Sequence, residues 1–384
     1  MITAGIFFKN FKKKKNFKNL KKKLNLIIRE RNNVVQSLGK NYQDSFDKNK
    51  IKKFKKFLDF RIIGMGGSSL GTQAIYDFLN HKIKKKFSFL DNLRPNVTNH
   101  DKKKYLNLII SKSGNTIETI ANSYIYIKKI DQNIFITENK KNYLYGLAQN
   151  LKAEIIHHNN FIGGRYSVLS EVGMLPAELM GLNSNKFRQL NNLVKNKKYL
   201  NALTSSVGSI LYFLKKKKFN SIILNYDDQS KNLFFWYQQL VAESLGKNNK
   251  GLLPIISNMP KDNHSVMQLY LDGFKNNFYT FFYTHDKNST KIKNKFILSS
   301  KHYIKNKNLS EITYAQKIAS ENVFRKKNIP FRSFEIKNRD EKTLGELFTF
   351  FILETILLGK ALKINPYDQP AVELIKKETK KILV

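Results

Sequence analysis

Two short segments of this chain have the composition of an anion cradle. The first, Ile63-Gly64-Met65-Gly66-Gly67-Ser68-Ser69-Leu70-Gly71, stands where an apolar run ends and a helical pattern begins. Glycines there let backbone amides approach an anion, and a following helix N-terminus adds its positive dipole end. The spacing lacks the third glycine of a dinucleotide fingerprint and the lysine of a nucleotide P-loop, so neither cofactor is expected; a structural tight turn fits the same residues. The second, Ser111-Lys112-Ser113-Gly114-Asn115-Thr116-Ile117-Glu118-Thr119, also follows an apolar run and opens a helical one. Its three hydroxyls at 111, 113 and 116 suit a compact phosphate monoester, whereas a plain N-cap needs only one.

Proton chemistry has fewer candidates. Glu243 follows Gln239 by four residues, so a helix sets the carboxylate and the amide on one face. The carboxylate could serve as a general base, or pair with Lys247 at i+4 on a solvated face. Arg165, preceded by Gly163 and Gly164, is one of only nine arginines beside 60 lysines. Its permanent charge suits either a developing oxyanion or a structural ion pair. The adjacent His157 and His158 do not read as a metal site, because neighbours on a strand face opposite ways.

These residues need elements to hold them, and the composition permits a large core. The chain has 384 residues, 41% hydrophobic, which excludes disorder as its dominant state. The absence of cysteine removes disulfides, thiolate zinc sites and a cysteine nucleophile. No apolar run approaches the roughly 18 residues of a membrane span, and neither a signal peptide nor a transit peptide is recognisable, so a soluble cytoplasmic protein without membrane partners is expected. The net charge of +40 raises nucleic-acid binding. Lysine dominates it, is spread along the chain and keeps company with asparagine, isoleucine, phenylalanine and tyrosine; a compositional bias explains this better than phosphate recognition, which favours arginine, so no nucleic-acid partner is expected.

Periodicity divides the chain. Residues 1–57 form a Lys-rich helical arm in which Leu20, Leu24, Ile27 and Ile28 fall at helical spacing. From Phe60 the pattern becomes short strands separated by helices, which predicts an α/β fold with mainly parallel sheets. Strands are expected at 60–65, 106–111, 134–137 and 155–157, then, after a long helical stretch over 167–217, at 221–226, 278–283 and 331–336. Helices are expected at 234–245, 344–362 and 371–383. The units so predicted are 58–195, 196–364 and a C-terminal helix over 365–384.

The Ser111-x-Ser113-Gly114-x-Thr116-x-Glu118 segment behind a Gly-Gly-Ser turn resembles the sugar-isomerase (SIS) domain. Gly163-Gly164-Arg165-Tyr166-Ser167-Val168 and Asn365-Pro366-Tyr367-Asp368-Gln369-Pro370-Ala371-Val372-Glu373-Leu374-Ile375-Lys376 resemble the two signatures of the phosphoglucose isomerase family. Trp236 to Lys247 and Lys261-Asp262-Asn263-His264-Ser265 are similar to it in the same order. The likeness runs from about residue 60 to residue 376. It departs at Ala371, usually glycine, and at Ser113, commonly threonine.

The resemblance implies two three-layer α/β/α SIS domains and the interconversion of glucose 6-phosphate and fructose 6-phosphate through a cis-enediol, with no metal or organic cofactor. Glu243 would carry the proton, Arg165 would stabilise the enediolate, and His264 and Lys376 would assist ring opening. Gly67, Ser68, Ser111, Lys112, Ser113, Thr116, Gln239 and Gln369 would bind the substrate. The family's histidine comes from a neighbouring subunit, which implies a homodimer. Two rivals are an isomerase that also accepts mannose 6-phosphate and a non-catalytic SIS sensor of sugar phosphates.

Overall fold

The computed structural model describes residues 1–12, 18–96, 103–286, 288–293 and 297–384. Among them ten strands follow in order: β1 (Ile6–Lys9), β2 (Asp59–Ile63), β3 (Lys86–Leu90), β4 (Leu106–Ile110), β5 (Gln132–Glu138), β6 (Glu154–His158), β7 (Asn220–Asn225), β8 (Leu253–Asn258), β9 (Asn277–Thr284) and β10 (Phe331–Ile336). The first sheet has the order β3-β2-β4-β5-β6 and is parallel throughout. The second has the order β1-β10-β9-β7-β8; all its pairings are parallel except that of β1, which runs antiparallel along β10. Every residue of β4 and β9 is buried, as expected of parallel strands covered on both faces. The α/β fold with mainly parallel sheets is therefore as the periodicity predicts.

Three strands were not expected, for separate reasons. β8 contains Pro254, which argues against a central strand but is tolerated here because β8 is at the sheet edge. β3 is likewise an edge strand, and its Lys-Phe-Ser-Phe-Leu sequence mixes polar and apolar residues. β1 is only four residues long and lies within the arm expected to be helical, so this arm also supplies a strand to the second sheet. The rest of it forms the helix Lys18–Arg29, which buries Leu20, Leu24 and Ile27, and the shorter helices Asn33–Ser37 and Lys48–Ile51. Lys13 to Phe17 fall outside the described residues. The helical stretch expected over 167–217 is divided into the 3-10 turn Gly164–Leu169 and the helices Glu171–Leu179, Ser184–Phe187, Leu190–Leu193 and Lys197–Lys215.

The helix Glu341–Leu362 runs through the core and packs on helices Lys231–Leu245, Lys197–Lys215 and Lys18–Arg29. Its apolar residues alone would make it a hydrophobic rod, but Glu354 is buried in it. The Arg332 guanidinium of β10 lies 2.5 Å from that carboxylate, and the Ser206 hydroxyl donates to Glu354 and accepts from Arg332, each at 2.7 Å. Thr280 accepts from Arg332 Nε at 2.9 Å, so the charge pair is held in a hydrogen-bonded set. Glu354→Ala leaves a buried guanidinium without its carboxylate and should lower unfolding free energy by about 3–5 kcal/mol in urea denaturation. A loss below about 1 kcal/mol would show that the pair does not brace the core.

Candidate active site

The two anion-cradle segments leave neighbouring strands side by side. β2 and β4 pair in parallel with Ile63 opposite Ile109, so the turn 64–69 and the loop 111–116 emerge together from the carboxyl edge of the first sheet. Ligands of open α/β sheets bind in such crevices. In the loop, Gly114 has φ +66°, and a Cβ there would stand 1.8 Å from Asn142 Oδ1. Thr116 precedes the helix Ile117–Tyr126 but does not cap it; its hydroxyl meets that of Ser111 at 2.8 Å. The first-turn amides thus have no side-chain acceptor from Thr116, and two of the three expected hydroxyls converge. Ser113 is exposed, its hydroxyl accepting from the Asn115 amide at 3.3 Å. The Lys112 ammonium donates to Asn160 O at 2.8 Å and lies 3.6 Å from Glu138, so it is engaged with the next two strand ends. Ser68 is half-buried in the neighbouring turn.

Gly67 joins this edge to the rest of the site. A Cβ on it would lie 2.1 Å from the carbonyl carbon of Gly164 and 2.5 Å from Arg165 N. Only glycine permits this approach of two backbones, and it brings Arg165 beside the turn.

Arg165 is 1% exposed and donates all five of its N–H groups. Nε reaches Ser244 Oγ at 2.8 Å; Nη1 reaches Glu243 Oε1 at 2.9 Å and Gln369 Oε1 at 2.8 Å; Nη2 reaches Pro366 O at 2.8 Å and Asp368 O at 3.0 Å. Tyr166 also binds Ser244 Oγ, at 2.8 Å, and donates to Pro366 O at 2.9 Å. Trp236 fixes the Arg165 backbone by donating Nε1–H to its carbonyl at 3.2 Å. Two segments distant in the chain, 243–244 and 366–369, are thereby tied to one guanidinium.

Glu243 is half-buried near the end of helix Lys231–Leu245, with Arg165 on one carboxylate oxygen and Gln239 Nε2 on the other at 2.9 Å. The i+4 partner Lys247 turns away and takes Asp368 instead, donating to its carbonyl at 2.6 Å and its carboxylate at 2.9 Å. That ammonium holds the Asp368 carboxyl below the usual carboxylate range. Gln239 Oε1 is buried and unpartnered among the described residues. Such an acceptor is costly to leave open and suits a ligand hydroxyl.

Four of the expected site residues, Arg165, Glu243, Gln239 and Gln369, are therefore in contact. His264 and Lys376 are not. His264 is exposed in the short turn Lys261–His264 after β8, and Lys376 is exposed on the helix Val372–Leu383, its ammonium 2.7 Å from Glu373. His158 is buried and His157 exposed, on opposite faces of β6 as expected; burial pushes the His158 imidazole down to about 4. Ser244, Tyr166, Trp236 and the Lys247–Asp368 pair had no assigned role, although each stands inside a motif already quoted.

The model of the phosphoglucose isomerase family matches residues 24–384. The chain belongs to that family. It is 32% identical over 382 residues to a glucose-6-phosphate isomerase from Methanocaldococcus jannaschii, covering 92% of this chain and 90% of the relative. A glucose-6-phosphate isomerase from Campylobacter jejuni is 32% identical over 343 residues, covering 84% of each. Among solved structures, a hypothetical protein from Thermus thermophilus superposes with TM-score 0.82 at 22% identity, covering 95% of this chain and 94% of the other. A Chlamydia trachomatis glucose-6-phosphate isomerase superposes with TM-score 0.75 at 17% identity, covering 99% and 89%. These likenesses establish the same fold.

The Gly67 contact is the simplest feature of the site to disturb. Gly67→Ala must displace the turn from Gly164–Arg165, and kcat/KM on fructose 6-phosphate should fall by about tenfold or more while the far-ultraviolet circular dichroism is unchanged. Wild-type kcat/KM in the variant would remove this contact from the site.

Proposed function

We propose that the cluster around Arg165 and Glu243 carries out the family's reaction, the interconversion of glucose 6-phosphate and fructose 6-phosphate. Family membership makes the chain an aldose–ketose isomerase; the assignment of its groups is our reading. The observation that carries it is Glu243 held between Arg165 and Gln239 at 2.9 Å on each side, next to an unpartnered amide oxygen.

The substrate phosphate sits at the first sheet's edge on Ser68, Ser111, Thr116 and the amides opening helix Ile117–Tyr126, with Ser113 and Lys112 at its rim. A helix N-terminus favours that charge. Glu243 removes the proton from one of the two carbons and returns it to the other, leaving a cis-enediol between the steps. The developing enediolate charge is met by Arg165. All five guanidinium N–H groups are engaged within the chain, so direct contact requires an exchange; we assign it to Nη1, with a substrate oxygen replacing Gln369 Oε1. Gln239 orients a sugar hydroxyl through its open acceptor. The first unit, residues 58–195, thus holds the phosphate and the second, 196–364, supplies the base.

Ring opening needs a group that exchanges protons near neutrality, and we assign it to His264 with Lys376. We further propose that the enzyme acts in the cytoplasm as a homodimer in which His264 serves the partner's site. In support, His264 is exposed, and the helix Val372–Leu383 has no buried residue while exposing Leu374, Ile375, Ile382 and Leu383.

Glu243→Gln should reduce kcat by about 10²–10⁴-fold and leave fructose 6-phosphate binding by calorimetry within a few-fold of wild type. Retained turnover would exclude Glu243 as the base. Subunit exchange tests the shared site. Refolding Glu243→Gln together with His264→Gln in equal amounts should restore about a quarter of wild-type activity, because half the dimers are mixed and one of their two sites is intact. No recovery, with dimers demonstrated, would place His264 in its own chain's site, and full activity of His264→Gln alone would place it outside catalysis.

A further inference from the structure

Beside the start of β10, where β1 ends, lies a cavity of about 550 Å³ that contains none of the residues assigned to the reaction. Its volume is that of a small-molecule site. The apolar part of its lining is Phe11, Phe213, Ile329, Pro330 and Phe331. The rings behind that surface are fixed in a packed set. Phe11 meets Phe213 edge-on at 4.9 Å between centroids, and Phe213 stacks on Phe278 at 5.4 Å.

The charged lining is Lys9, Lys12, Lys216, Lys218 and Arg325, with no carboxylate. In a chain with 69 basic and 29 acidic residues, five cations on one rim are ordinary by themselves. Their distribution round an apolar hollow gives them meaning. The neighbouring groups offer little compensation: Glu321 stands 4.0 Å from Lys9, Asn322 accepts from Arg325 Nη1, and Lys218 donates to the Lys275 carbonyl. Burial and the nearby Lys275 hold the Lys218 ammonium below the ordinary lysine range. A second hollow of about 380 Å³ adjoins the first, sharing Lys218, Asn328, Ile329 and Pro330 and adding Lys275, Lys327 and one carboxylate, Asp272.

We propose that this cavity is a second ligand site, which takes a small aromatic phosphate or carboxylate. The flat body lies in the apolar hollow, backed by the buried Phe11, Phe213 and Phe331 and flanked by the half-buried Ile329 and Pro330, and the anionic group is met by Lys216, Lys218 and Arg325. Neither half of the ligand suffices. A bare anion forgoes the apolar contact, and a neutral arene leaves the cations unpaired.

Calorimetric titration of the full chain with 1-naphthyl phosphate, in saturating fructose 6-phosphate, tests the site apart from the catalytic one. One saturable site per chain is expected, with 1-naphthol and inorganic phosphate each about tenfold weaker or more. Lys218→Glu with Arg325→Glu should weaken 1-naphthyl phosphate by about tenfold or more and leave kcat on fructose 6-phosphate unchanged. Lys216→Glu alone, at an exposed position, should weaken it about threefold or more, which guards against misfolding of the double variant. The absence of saturable binding, equal affinity for inorganic phosphate, or undiminished affinity in both variants would overturn the proposal.

Discussion

A guanidinium with 1% of its surface exposed must find a partner for every N–H, and Arg165 finds its five in two separate segments. Removing the partner of a buried charge costs about 3–5 kcal/mol, so the structure is strongly held to the arrangement that supplies them. Ser244 and Glu243 come from helix Lys231–Leu245, and Gln369, Pro366 and Asp368 from the loop after the core helix Glu341–Leu362. Arg165 itself opens the 3-10 turn Gly164–Leu169, packed on Gly67 of the first sheet's edge. The group we propose for the enediolate is thus also the tie that positions Glu243, the proposed base.

The larger architecture serves this tie. The first sheet presents its two hydroxyl- and glycine-rich loops on one edge because β2 and β4 are parallel neighbours. The second sheet contributes a helix instead of an edge: Lys231–Leu245 packs against Leu70–Phe78, which follows the glycine turn. Trp236, buried against Phe348 at 4.8 Å, sets the rotation of that helix and bonds the Arg165 carbonyl. Lys247 anchors the far side of the loop through Asp368. The two loops and Glu243 are therefore brought together through side chains outside the proposed chemistry.

Much of this was legible in the sequence. Fully buried strands such as β4 and β9 are plain apolar runs, and the breaks between them fix an α/β fold. Edge strands were less so: β8 carries a proline, β3 alternates, and β1 is too short to stand out from the lysines after it. At the site, residue type alone left Glu243 between base and surface ion pair. The local i+4 rule pointed to Lys247, whose actual partner, Asp368, lies 121 residues on. Nothing in spacing along the chain reports such a contact. The meeting of Arg165, Glu243, Gln239 and Gln369 followed from the family motifs, whereas His264 and Lys376 stand outside the cluster within one chain.

If the geometry of the tie matters as much as its charge, lysine cannot replace Arg165, because a compact ammonium has three donors where five acceptors wait. The most direct test is kcat/KM on fructose 6-phosphate for Arg165→Lys beside Arg165→Gln. The account predicts that both fall by about 10²-fold or more, the lysine variant recovering little of the loss. Arg165→Lys with near wild-type kcat/KM would show that a positive charge alone is sufficient and that the five-bond tie does not organise the site.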